Sequence, residues 1–149
     1  MRMMLTGAGA VGECILKMLG KRDPKGEWLS YVLLADFDLK RADEVKSHLE
    51  QERKFREGTQ YETAQVDARD REALTALMRE HRIDFVMDAA SPFVSNFIFD
   101  AAFEAGADYA SMGTWSVPKD HPEFGKGFEG AYLEPMTKYN FDRHEAWKE

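Results

Sequence analysis

Gly7, Gly9 and Gly12 fall in the spacing G-x-G-x-x-G within "MMLTGAGAVGECILKMLG", close to the first residue. Glycine at those three places suits the grip of a pyrophosphate. The first permits a tight turn, the second lets phosphates approach the backbone, and the third lets a helix pack close to a strand. Ala8 lies in the same loop, and the N–H groups of Ala10, Val11 and Gly12 follow it. At a helix N-terminus those groups are unpaired and the helix dipole favours an anion. A glycine turn that binds nothing has the same spacing, so the flanking residues decide.

Acids and small residues further along extend this chemistry. Asp36 closes the apolar run "YVLLAD", where a dinucleotide fold places the acid that reads the adenosine ribose, nominally about 20 residues past the glycines. Here the gap is longer, and the "DPKGEW" loop accounts for the excess. A carboxylate there accepts from both ribose hydroxyls and repels a 2′-phosphate, which favours NAD over NADP. Its alternative role is a solvated acid at a strand end. Lys40 and Arg41 can swing toward a 2′-phosphate, although such residues more often form the exposed side of a helix. Asp67 in "QVDARD" is placed to reach an adenine or to cap a helix, and Asp70 is the better cap. In "DAASPF", Ala89 and Ala90 leave room for a cofactor, Ser91 is a ligand contact or an N-cap, and Pro92 suits the first helical position.

The elements that must carry these residues alternate along the chain. Short apolar runs at Met3–Thr6, "YVLLAD", "YETAQVD", "DFVMDAA" and "ADYASM" read as strands. Between them, helical spacing puts Val11, Ile15, Met18 and Leu19 on one stripe up to Gly20, and Leu39, Ala42, Val45 and Leu49 on the inner face of "LKRADEVKSHLEQERKF". Leu74, Leu77 and Met78 face inward in "REALTALMREH", and Gly106 closes "FVSNFIFDAAFEAG". Strand and helix in strict alternation predict a doubly wound, mostly parallel sheet with helices on both faces, a Rossmann-like three-layer α/β/α fold. The remainder, "GTWSVPKDHPEFGKGFEGAYLEPMTKYNFDRHEAWKE", has scattered aromatics and prolines and no sustained period. It reads as a connecting segment whose aromatics need a surface to cover, a second domain or a symmetry mate.

Composition narrows the function classes. A chain of 149 residues suits one domain with its own core. A net charge of −7 argues against a nucleic acid or an anionic membrane as partner. No apolar run is long enough to span a bilayer, and the N-terminal run is too short for a signal peptide. A single cysteine, Cys14, fits a reducing cytoplasm and is expected to pack against the sheet. His48, His81, His121 and His144 lack metal-ligand spacing, so no metal is expected, and His48 and His81 are expected to be solvated.

The string "GAGAVGECILKML…VLLADFDLKRADEV…VDARDREALTALM…DFVMDAASPFVSNFIFDAAFEAGADYASMG" resembles the N-terminal nucleotide-binding domain of the saccharopine dehydrogenase family. The similarity runs from about Met3 to Gly113, and its most specific part extends from Asp67 through "EAGADY". The resemblance implies that Gly7 to Gly12 hold the pyrophosphate, Asp36 the ribose, and Asp67 with Ala68 the adenine, while Ala89, Ala90 and Ser91 line the path toward the nicotinamide. It also implies a nucleotide domain over residues 1–113 and a connecting segment over 114–149 leading to a substrate domain beyond it. The parent would be an oxidoreductase acting on an amino-acid-derived secondary amine or imine. Members often carry Asn where this chain has Asp88, Asp where it has Ser111, and Arg where it has Phe37; the last difference weakens NADP. No residue here stands out as a proton donor. A stand-alone dinucleotide sensor of the potassium-transport-regulator type is the competing class, and "DAASPF" with "EAGADY" favours the dehydrogenase.

Overall fold

The computed structural model describes residues 1–52, 58–113 and 138–148, with the side chains of residues 138 and 139 excepted. Its elements alternate: β1 (Arg2–Thr6), α1 (Ala10–Arg22), β2 (Tyr31–Asp36), α2 (Leu39–Gln51), β3 (Gln60–Gln65), α3 (Arg71–Glu80), β4 (Phe85–Asp88), α4 (Ser95–Ala105) and β5 (Asp108–Ser111). The sheet runs β3-β2-β1-β4-β5 with every neighbouring pair parallel. Strand order therefore reverses at β1, and the crevice beyond the C-terminal ends of β1 and β4 is where such folds bind ligands.

Alternation along the strands feeds two cores. Met3, Leu5, Val32 and Leu34 point to one face and pack with Leu16 of α1 and Ala42, Val45 and Leu49 of α2. Met4, Tyr31, Leu33, Ala35 and Val86 point to the other, against Leu74 and Met78 of α3 and Ile98, Ala101 and Ala102 of α4. Both faces are thus covered, as a parallel sheet requires.

Several helix faces differ from the apolar stripes expected of them. In α1 the inward row is Gly12, Leu16 and Gly20, four residues apart. Val11 and Met18 are exposed, and Gly20 lies inside the helix rather than ending it. Cys14 is exposed too, because it sits about 200° around the helix from both Gly12 and Leu16. In α2, Leu39 is exposed as the first helical residue at the open edge of the sheet. Residues 53–55 of the expected helix lie outside the described residues. In α3, Thr75 is buried and Leu77 only half-buried. Helix α4 begins at Ser95, so Pro92 occupies the turn before it, closed by Val94 N–H donating to the Ser91 carbonyl at 3.0 Å. His81 is not fully solvated: its Nδ1 lies 2.6 Å from the Tyr31 hydroxyl.

Within the final stretch, residues 114–137, His121 among them, lie outside the described residues. The remainder is a short helix, α5 (Lys138–Phe141), then turns and a 3-10 turn at Ala146–Lys148. It packs back onto α4. The Trp147 ring lies 5.0 Å from that of Phe99 and 5.3 Å from that of Phe103, and Arg143 Nε pairs with Asp100 at 2.9 Å. Replacing the half-buried Trp147 with Ala is expected to lower unfolding free energy by about 1–2 kcal/mol. An unchanged denaturation midpoint would show that this segment adds nothing to the domain.

Candidate functional site

All five strands end at one edge. Thr6 stands beside Ala35 and Asp88, Asp36 beside Gln65, and Asp88 beside Ser111. A cleft of about 490 Å³ opens there, lined by Thr6, Gly7, Gly9, Asp36, Phe37, Val66, Asp67, Ala68, Arg69, Ala89, Ala90, Ser91 and Val94 with their neighbours. A wider and shallower depression beside it, between α3 and α4, shares Asp67 and Arg69 but is otherwise lined by helix-surface side chains.

The glycine loop shapes the floor of this cleft. Gly7 has φ +95°, and a Cβ there would lie 2.7 Å from the Ala89 carbonyl oxygen, so neither backbone nor space admits a side chain. A Cβ on Gly12 would overlap the Gly7 carbonyl oxygen. Gly9 differs: its φ is −70° and a Cβ would meet nothing within 4 Å, because the position opens on the cleft. Gly9 also caps α1 without any side-chain hydrogen bond, and the first intrahelical bond runs from Glu13 N–H to its carbonyl at 3.0 Å. The amides of Ala10, Val11 and Gly12 precede that bond. By contrast, Asp38 caps α2 and Asp70 caps α3 with their carboxylates. Helix α1 thus presents an uncapped N-terminus at the cleft, where an anion satisfies the first-turn amides.

Ala8 is buried, and both polar atoms of its backbone are held. Its N–H donates to Asp36 Oδ2 at 2.5 Å, and its carbonyl accepts from Arg41 Nε at 3.0 Å. Asp38 N–H donates to the other Asp36 oxygen at 2.8 Å. The two amides fix the carboxylate's orientation and leave each oxygen a further acceptor site, which suits a vicinal diol. Arg41 is bound on its far side as well, with Nη2 2.7 Å from Glu13 Oε2. Lys40 lies along the outer groove of α2 and does not line the cleft.

Asp88 is buried at the end of β4 and accepts three hydrogen bonds. Thr6 Oγ1 and Ala90 N–H donate to Oδ1, both at 2.9 Å, and the Tyr109 hydroxyl donates to Oδ2 at 2.8 Å. One carboxylate thereby ties β1, β4 and β5 to the Ala89–Ser91 loop. Burial and the neighbouring Asp88 charge push the Tyr109 phenol above its ordinary pKa, which keeps it a donor.

Asp67 and Arg69 form the opposite wall. Arg69 reaches Asp67 through Nε at 3.0 Å and Nη2 at 2.7 Å, and this guanidinium holds the carboxyl at about 2, below the usual carboxylate range. Asp67 leaves capping to Asp70, whose carboxylate takes Ala73 N–H at 2.9 Å. Of the residues singled out in the sequence, Gly7, Gly9, Asp36, Asp67, Ala68, Ala89, Ala90 and Ser91 line one cleft. Ala8 and Gly12 are buried beneath it, and Ala10 and Val11 form the exposed first turn of α1. Phe37 and Arg69 also line it. Phe37 is 69% exposed, and only its position one residue after Asp36 marks it in the sequence.

Residues 3–148 match the family described as saccharopine dehydrogenase NADP binding domain. The chain belongs to that family. It is a nicotinamide-dinucleotide-binding domain. Over 131 residues it is 24% identical to carboxyaminopropylagmatine dehydrogenase of Synechocystis sp., covering 88% of this chain and 30% of that enzyme. Its fold matches apo saccharopine dehydrogenase (L-Glu forming) of Saccharomyces cerevisiae with TM-score 0.58 at 16% identity, over 77% of this chain and 22% of the yeast chain. It also matches UDP-glucose 4-epimerase of Thermus thermophilus in complex with NAD, with TM-score 0.57 at 20% identity, over 99% of this chain and 52% of that one. The chain therefore spans less than a third of the length of the curated relative and of the yeast enzyme.

Two substitutions separate scaffold from site. Gly9→Val is expected to lower stability by no more than about 1 kcal/mol, since an added Cβ meets nothing within 4 Å, and to abolish NADH binding by filling space at the helix N-terminus where an anion would sit. Retained affinity would remove the glycine loop from the site. Asp88→Ala leaves the Thr6, Ala90 and Tyr109 donors without an acceptor and is expected to destabilise by about 3 kcal/mol or more, with Asp88→Asn losing less. Equal denaturation midpoints for Asp88→Ala and the unaltered chain would contradict that network.

Proposed function

We propose that residues 1–113 grip the dinucleotide in an extended form across the strand ends, and that residues 114–149 connect this domain to a substrate-binding part of a longer enzyme. Gly7, Ala8, Gly9, Ala10, Val11 and Gly12 hold the pyrophosphate, Asp36 the adenosine ribose, and Asp67 with Ala68 the adenine. Ala89, Ala90 and Ser91 line the path to the nicotinamide. The observation that carries this reading is the pairing of an uncapped α1 N-terminus with a preoriented carboxylate, Asp36, on one cleft. Phe37 and Arg69 supply an aromatic face and a guanidinium plane at the adenine end, both of which stack on planar rings.

NAD is the preferred form. A carboxylate at the end of β2 welcomes two ribose hydroxyls and repels a 2′-phosphate, and Arg41 is already committed to Ala8 and Glu13. The family description names NADP; the preference for NAD rests on these two side chains of this chain. The parent activity is oxidoreduction at a carbon–nitrogen bond of an amino-acid-derived secondary amine or imine, a reading supported by the family and by the Synechocystis enzyme's name. The nicotinamide supplies the hydride, while the protein supplies binding and orientation. Its residues fix the adenosine end through Asp36 and the phosphates through α1, and the small side chains of Ala89 and Ala90 leave the far end free to meet a substrate.

Replacing Asp36 with Ser is expected to shift the ratio of NADH to NADPH affinity toward NADPH by roughly tenfold or more, since one charge repulsion disappears. A titration following nicotinamide fluorescence measures both constants. An unchanged ratio would mean that Asp36 does not face the ribose.

A further inference from the structure

The residues around Arg41 suggest a second determinant of cofactor choice, one that rests on the dinucleotide reading above. Arg41 lies in the first turn of α2, and its Nε donates to the carbonyl of Ala8, the residue whose N–H donates to Asp36. Its guanidinium is therefore one residue's backbone away from the proposed ribose acid. A cation in that place is the natural partner for a 2′-phosphate, and Arg is well shaped for it. In this chain it points elsewhere, because Nη2 is held by Glu13 Oε2 at 2.7 Å.

Glu13 is firmly anchored. Its carboxylate also takes Lys17 Nζ at 3.1 Å and lies 3.3 Å from His48 Nδ1, and Lys17 is tied in turn to Glu52 at 2.8 Å. Only 17% of its side chain is exposed. Lys17, with Arg41 and His48 adding to it, holds the carboxyl at about 2, so it stays charged throughout the physiological range. The second acid near Arg41, Glu44, is 3.6 Å away and 49% exposed, a pair that solvent screens heavily. Glu13 is accordingly the dominant restraint.

We propose that Glu13 is a specificity-determining residue: it draws the Arg41 guanidinium toward α1 and cancels its charge, so that a 2′-phosphate entering beside Asp36 does not find Arg41 available to it. A merely structural ion pair would change stability and leave the cofactor ratio untouched.

The test is a double-mutant cycle on the full chain, with dissociation constants for NADH and NADPH measured on the unaltered protein, Glu13→Gln, Arg41→Gln and the double variant. Glu13→Gln keeps the side chain's size and its capacity to hydrogen-bond, and removes its charge. It is expected to move the affinity ratio toward NADPH by roughly three- to tenfold, the worth of one released ion pair. In the Arg41→Gln background the same change is expected to move the ratio by less than about twofold. Glu13→Asp, which keeps the charge on a shorter stem, is expected to shift it in the same direction by less, and serves if Glu13→Gln does not fold. An unchanged ratio in Glu13→Gln overturns the proposal, as does an equal shift with and without Arg41, which would indicate only the loss of a negative field. If the unaltered chain binds neither nucleotide, the dinucleotide reading falls and this proposal with it. If NADH binds and only the ratio fails to move, the grip stands and the role of Glu13 does not.

Discussion

The backbone of Ala8 is held between two charged side chains, and much of the site follows from that constraint. Asp36 at the end of β2 takes its N–H, and Arg41 of α2 binds its carbonyl. With Ala8 fixed, Gly7 is pressed against Ala89 and Gly12 against Gly7, so the loop has little room to choose another path. Helix α1 then starts at Ala10, with its N-cap Gly9 lining the cleft. The same Asp36 carboxylate is oriented by two amides and still has acceptor capacity. The glycine loop and the Asp36 carboxylate are thus set relative to each other by one short hydrogen bond.

The charge arrangement around the cleft is divided accordingly. Helices α2 and α3 cap their N-termini with Asp38 and Asp70, whereas α1 has no side-chain cap. Asp67 is balanced by Arg69, and Asp88 is buried under three donors. Asp36 faces the cleft held by backbone amides. A neutral diol fits such a group better than a second anion does.

The order of strands and helices, the two-faced burial and the strand-end location of Asp36, Asp67 and Ala89 to Ser91 are legible from periodicity and from the glycine spacing. The inward face of α1 is not, because Gly12 and Gly20 supply two of its three buried positions and glycine contributes nothing to an apolar stripe. Exposed Cys14, Val11 and Met18 follow from that same rotation of the helix. The expected start of α4 falls too early because Ser91 and Pro92 serve a turn before the helix as readily as its first turn. Long-range pairings such as Asp36 with Ala8, Arg41 with Glu13, and Asp88 with Tyr109 link residues 21 or more positions apart. No local pattern encodes them. The docking of Trp147 on α4 is of the same kind, with only the surplus of aromatics hinting at it.

Backbone amide spectra of the isotopically labelled chain, recorded during addition of NADH, test the central claim most directly. Shifts concentrated in Ala8 to Gly12, in Asp36 to Asp38 and around Ala68 and Ala90, with the Ala8 amide remaining hydrogen-bonded, are the expected result. Saturable shifts confined to another surface, or no shifts at millimolar NADH, would contradict a dinucleotide grip built on the Asp36–Ala8 clamp.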